Sequence, residues 1–186
     1  MTEKQRLLLI DGLKTIFEFA AKNDIALPKI GVVDAKTRAS YCGVYNYRRK
    51  SMEVNIKRCA NKAKVPGFSW SHPGYFADRT PFGVVCHEFG HHVDCVLNKT
   101  KGMPKFKNEK VSGYEPNAQE RFAESMKLFL SNPDLLKKTC PKRYEFLTKK
   151  LGLVPVVKGT WRQVFKKNEM HEKYYVAAEK RIKGAA

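Results

Sequence analysis

His87-Glu88-Phe89-Gly90-His91, continued by His92-Val93-Asp94, is the stretch on which the reading of this chain turns. Residues four apart lie on one face of a helix, so in helical backbone His87 and His91 aim two imidazoles at one place. Glu88 projects beside that place. Two histidines with an adjacent carboxylate suit a zinc ion and a base that takes a proton from water, so the spacing predicts zinc-dependent hydrolysis of peptide bonds. A solvated polar helix face carries the same letters by chance, and the neighbours argue against it. Val84, Val85, Phe89, Val93, Val96 and Leu97 form an apolar stripe at helical spacing. The stripe predicts a helix docked on a core, with His87, His91 and Asp94 on the adjoining face at the edge of a cleft. Thr80 and Pro81 supply an N-cap and a first-turn proline. Cys86 points in another helical direction and reads as a small buried residue rather than a ligand.

A catalytic zinc takes three protein ligands and keeps one position open. The third candidate comes from Glu120-Arg121-Phe122-Ala123-Glu124. Glu120 and Glu124 are again four apart; one can bind the metal while the other accepts a hydrogen bond from a ligand histidine. Phe122, Ala123, Met126, Phe129 and Leu130 give the same helix a core face. Glu120 also stands three residues after Asn117, where it suits a capping box. Glu124 also suits an exposed pairing with Arg121 or Lys127. The residues alone leave the order of the two glutamates open.

Taken together, the two stretches resemble the gluzincin peptidases, and more narrowly the family of the anthrax lethal factor catalytic domain. The resemblance covers roughly residues 28 to 150, with specific zinc motifs and a looser remainder that includes Asn132-Pro133-Asp134-Leu135-Leu136. It implies a zincin-like α+β fold: a small mixed or antiparallel sheet packed on the motif helix and on a second, glutamate-bearing helix. It implies Zn2+ held by His87, His91 and Glu120, with Glu124 supporting the histidines and Glu88 as general base. Gluzincins of this type place an oxyanion-stabilising tyrosine shortly before the ligand glutamate, and Tyr114 is the candidate, although its spacing of six residues departs from the family pattern. Asp94 is expected to help orient the ligands. His72 and His171 read as ordinary surface histidines.

Around these motifs the chain divides readily. A helix is expected from Glu3 to about Asn23, with Leu7, Leu8, Ile10, Leu13, Ile16, Phe17 and Ala20 on its apolar face. A strand at Ile30–Val33 and a hairpin from Tyr41–Tyr47 and Met52–Ile56 follow. Residues 61 to 79 form a loop with aromatic anchors. Residues 1–150 are expected to form the catalytic domain, and 151–186 a basic, mainly helical extension.

Lys and Arg number 36 against 18 Asp and Glu, a formal charge of +18. Lys137–Ala186 hold 14 of the basic residues and 4 of the acidic ones, so the excess is concentrated late. Such a field favours a polyanion, nucleic acid or an acidic protein, beside the protein or peptide substrate. An apolar content of 42% supports a proper core. No apolar run is long enough for a transmembrane helix, and Leu7–Ile10 is too short for a secretory signal. Five cysteines without a Cys-x-x-Cys pair fit reduced thiols, and a cytoplasmic location is expected. Two other readings stay open. One is a DNA-associated protease of the Spartan type, which usually completes its site with a third histidine. The other is a zinc-stabilised nucleic-acid-binding module without turnover, for which Glu88 has no use. A peptidase of a phage or mobile element is a further setting that suits a small basic chain.

Overall fold

Thr2 opens the first helix with a capping box: its hydroxyl accepts from Gln5 N–H, and the Gln5 side chain accepts from Thr2 N–H. Helix α1 then runs over Glu3–Lys22. The computed structural model describes residues 1–35, 41–59 and 78–156. The buried face of α1 is Leu9, Ile16, Phe19 and Ala20, with Leu8 and Leu13 beside it. Leu7, Ile10 and Phe17, expected inside, face outward. Apolar residues occur all round this helix, so periodicity alone did not single out one stripe, and packing chose the face centred on Phe19.

Three short strands follow: β1 (Lys29–Val33), β2 (Gly43–Asn46) and β3 (Ser51–Asn55). Their order is β1-β3-β2, with β1 parallel and β2 antiparallel to β3. The expected hairpin is therefore present, and it sits in a mixed sheet with β2 at an edge. Tyr45, opposite Met52, is buried with Met52 and Val54.

The motif helix α2 spans Pro81–Leu97, and Thr80 Oγ1 accepts from Gly83 N–H at its start. Helix α3 spans Ala118–Ser131, α4 Pro133–Thr139 and α5 Pro141–Glu145, the last widening into a π-type turn over Phe146–Lys150. Phe19 ties the first three helices together. Its ring meets Phe89 of α2 and Phe129 of α3 edge-on, at 6.1 and 6.0 Å. Val84, Val85, Phe89 and Val93 are buried as expected and Val96 partly so, but Leu97, the last residue of α2, is exposed.

Gly90 decides how near α2 and α3 come. A Cβ there would lie 2.8 Å from Ala123 Cα, so only hydrogen fits between the helices. This close crossing brings the histidine helix and the glutamate helix within side-chain reach of each other.

Residues 151–156 return to the end of α1. Val154 N–H donates to Asn23 Oδ1 at 2.7 Å, Asn23 Nδ2 donates to Val154 O at 3.0 Å, and Leu153 is buried. These six residues thus belong to the packed body. The rest of the expected helical extension, residues 157–186, and the aromatic loop over residues 61–77 lie outside the described residues. Among the described residues, no helix is long and apolar enough to cross a membrane.

Candidate metal centre

His87, His91 and Glu120 converge. One side-chain donor atom from each lies within 4.8 Å of the other two. His87 Nε2 stands 3.0 Å from Glu120 Oε2, and His91 Nε2 stands 3.6 Å from Glu120 Oε1. Donors at the corners of a tetrahedron with zinc bonds of about 2.0–2.1 Å are roughly 3.3 Å apart, so these separations fit one ion. Glu120 Oε2 is buried and makes no hydrogen bond, despite the nearby imidazole. A buried carboxylate oxygen without a hydrogen bond is costly, and a shared cation would satisfy it.

The helix start leaves Glu120 free for this. Asn117 Oδ1 accepts from Glu120 N–H at 2.8 Å and caps α3. The Glu120 side chain does not complete a capping box; it turns toward the histidines.

Each histidine ring is held from behind, by different elements. His87 Nδ1 lies 2.8 Å from Glu124 Oε1. His91 Nδ1 lies 2.9 Å from the hydroxyl of Tyr47, just past β2. Both contacts leave Nε2 directed at the cluster. Tyr47 escaped the sequence reading. Its signal was the alternation Tyr45-Asn46-Tyr47, which places two phenols on one face of the hairpin.

Asp94, expected to help orient the ligands, makes its described side-chain hydrogen bonds elsewhere. Its Oδ1 accepts from Asn98 Nδ2 at 2.7 Å and from Gly102 N–H at 2.9 Å. It lies on the face of His87 and His91, but the last turn of α2 and the following loop capture it. His92 is also structural: Nδ1 meets Tyr45 Oη at 2.9 Å, and Nε2 meets Ala26 O at 2.6 Å. Both its nitrogens are used. Cys86 is buried, as expected of a core residue, and burial pushes its thiol up.

A cleft of about 320 Å3 opens beside the cluster, lined by His87, Glu88 and Tyr114 among others. Gly43 at the start of β2 presses on Glu88; a Cβ there would lie 2.7 Å from Glu88 Oε1 and 2.5 Å from Val84 Cγ1. Glu88 is nearly buried, and that burial raises its carboxyl against the pull of His87 and His91. Tyr114 is half exposed, its ring centre 6.0 Å from that of His87. Glu115 beside it is gripped by Arg143, whose two terminal nitrogens donate at 3.0 and 2.9 Å, so the loop carrying Tyr114 is pinned to α5.

Electrostatics follow the geometry. Burial opposes the charged form of His87, but Glu120 and Glu124 outweigh it and lift the imidazole to about 9. Burial opposes the charged form of both carboxyls, but His87 and His91 hold Glu120, and Lys127 with His87 holds Glu124, below the ordinary carboxylate range. Without an ion, a proton on His87 supplies the positive charge that the two carboxylates demand.

Compared with family models, with curated proteins and with solved structures, the chain gives no match.

Proposed function

We propose that this protein is a zinc-dependent metallopeptidase of zincin-like fold. The observation that carries the reading is the convergence of His87, His91 and Glu120 around a buried Glu120 oxygen without a hydrogen bond. The set is nitrogen and oxygen with no thiolate, and it has three members, which suits an ion with an open position rather than a closed structural site. When bound, zinc supplies Lewis-acid polarisation of the substrate carbonyl and of the attacking water.

The chain's own residues do the rest. Glu88 takes the proton from the attacking water and returns it to the leaving amine; its raised affinity for protons suits both tasks. Tyr114, on the rim of the cleft, donates a hydrogen bond to the developing oxyanion. Glu124 and Tyr47 hold the ligand rings. Strand β2, at the sheet edge with Gly43 against Glu88, offers an extended peptide a backbone to pair with. The charge of +18 supports an acidic protein substrate or a nucleic-acid cofactor of the same reaction.

The test begins with zinc content per folded chain. About one zinc is expected in wild type, lost in His91→Ala and Glu120→Ala and largely kept in Glu124→Ala. A peptide-library digest then compares wild type with Glu88→Gln, which should keep zinc and lose on the order of a hundredfold or more in turnover. Full activity in Glu88→Gln would remove the proposed base. Absence of zinc from folded wild type under metal-replete conditions would remove the metal reading. Activity that rises with added DNA and falls with salt would favour the DNA-associated variant.

A further inference from the structure

Glu120, Glu124 and Lys127 occupy positions i, i+4 and i+7 of α3, one face of one helix. At the surface such a face would be a solvated row of charges. Here the Glu124 and Lys127 side chains are each 1% exposed, and Lys127 Nζ donates to Glu124 Oε1 at 2.6 Å. Lysine is almost never fully buried, and a buried ammonium costs stability unless it is closely paired. A buried ion pair does little better for the fold than apolar side chains of the same size. The pair therefore calls for a reason other than general stability.

Its connections supply one. The oxygen that Lys127 holds is the oxygen that meets His87 Nδ1, at 2.8 Å. The terminal torsion of a glutamate is soft and broad, so a single contact does not fix which oxygen a carboxylate presents, or at what tilt. Two donors converging on one oxygen do. Lys127 also lines the cleft, with His87, Glu88 and Tyr114. Asp78, just before α2, and Glu88, within α2, feel its charge along with Glu124.

We propose that Lys127 is a positioning residue of the metal centre, which locks the Glu124 carboxylate against His87 Nδ1 and thereby keeps His87 Nε2 aimed at the point shared with His91 and Glu120. The inference rests on the reading of that cluster as a metal site. One helix then supplies three successive layers: the ligand Glu120, the ring clamp Glu124 and the residue that sets the clamp. Lys127 acts on the three converging side chains through Glu124, to which its ammonium donates.

The test is a double-mutant cycle read as zinc affinity, by competition with a chromophoric chelator, on the full chain. The proteins are wild type, Lys127→Met, Glu124→Gln and the double variant. Lys127→Met should still take up about one zinc at saturation, with affinity lowered roughly 10- to 100-fold, the range typical of lost outer partners. The double variant should bind no more weakly than Glu124→Gln alone, because the neutral amide no longer offers the ammonium a charged partner to lock. A packing role would not produce that non-additivity. Affinity of Lys127→Met within twofold of wild type overturns the proposal, and so do losses that simply add. Should Lys127→Met fail to fold, the comparison of the double variant with Glu124→Gln decides alone: equal affinities support the role, and a weaker double variant overturns it. Failure of wild type to bind zinc is a separate result and refutes the metal reading itself.

Discussion

Tyr47 Oη lies 2.9 Å from Nδ1 of His91, so the hairpin reaches across the sheet-to-helix boundary to hold a ring of the proposed metal site. His87 is held by a carboxylate from α3, and His91 by a neutral phenol. In the tautomer that frees Nε2, His91 Nδ1 donates to the Tyr47 oxygen. A neutral partner makes a weaker bond than a carboxylate. Tyr47→Phe should therefore keep about one zinc per chain and weaken its binding roughly tenfold, less than Glu124→Gln does. Chelator competition on both variants measures this; a Tyr47→Phe protein that holds zinc as tightly as wild type would show the contact to be idle.

Zinc uptake should depend on pH through His87. Glu120 and Glu124 lift its pKa to about 9 in the metal-free chain, so a proton must leave before the ring can ligate. Apparent affinity should rise about tenfold per pH unit between pH 6.5 and 8.5 and level off near pH 9. The stability that this raised pKa lends the metal-free chain is fully present below about 6.5 and is lost as pH rises through about 9. Metal-free protein should thus weaken at alkaline pH where zinc-loaded protein does not. Isothermal titration at several pH values, with buffers of different ionisation heat, reads the released proton directly; affinity independent of pH would contradict the coupling of His87 to its two carboxylates.

Asp78 carries a different pH dependence. Its Oδ1 accepts from Thr80 N–H at 2.9 Å at the start of α2, while Oδ2 is buried without a hydrogen bond. Burial raises the carboxyl to about 6, against the pull of Lys127. The folded state binds this proton more tightly than the unfolded one, so the stability it lends is present below pH 3.8 and lost as pH rises through 6. A rise of about two units corresponds to roughly 3 kcal/mol. Asp78→Asn keeps the acceptor for Thr80 and removes the buried charge. It should be more stable than wild type by about 1–3 kcal/mol at pH 7.5 and nearly equal to it at pH 3.5. Urea denaturation at both pH values tests this; a variant less stable than wild type at pH 7.5 would mean that the ionised carboxylate helps the helix more than its burial costs.

What could be read from the sequence was local chemistry. Thr80 with Pro81 and Asn117 marked two helix starts because a cap acts within three residues of itself. His87 with His91 and Glu120 with Glu124 were legible because four-residue spacing fixes a shared face. Long-range placement was not legible. Nothing near residue 47 says that it will meet residue 91; that contact needs β2 to lie at the sheet edge against α2. Asp94 had the right face, yet Asn98 and Gly102 reach it before any histidine does. Lys127 had the spacing of an exposed partner of Glu124, and only the packing of α3 against α2 turned that pair into an interior one.

Gly90 stands between Phe89 and His91 of the motif, and in the fold it sets how near α2 and α3 come. An alanine Cβ there would meet Ala123 Cα at 2.8 Å and Ala123 O at 3.1 Å, both backbone atoms that cannot swing aside. The helices must part by several tenths of an ångström, enough to disturb a site whose donors are placed to within about 0.5 Å. Alanine gains roughly 1 kcal/mol in helix propensity over glycine, and overpacking costs about 1–3 kcal/mol, so a modest net loss of stability is expected. The loss of zinc affinity should be larger in proportion, because Glu120 rides on α3 while both histidines ride on α2. Urea denaturation of the metal-free variant and chelator competition separate the two effects. A Gly90→Ala protein that is as stable as wild type and binds zinc equally well would show that the helices have slack at this crossing, and the close approach would lose its role in assembling the site.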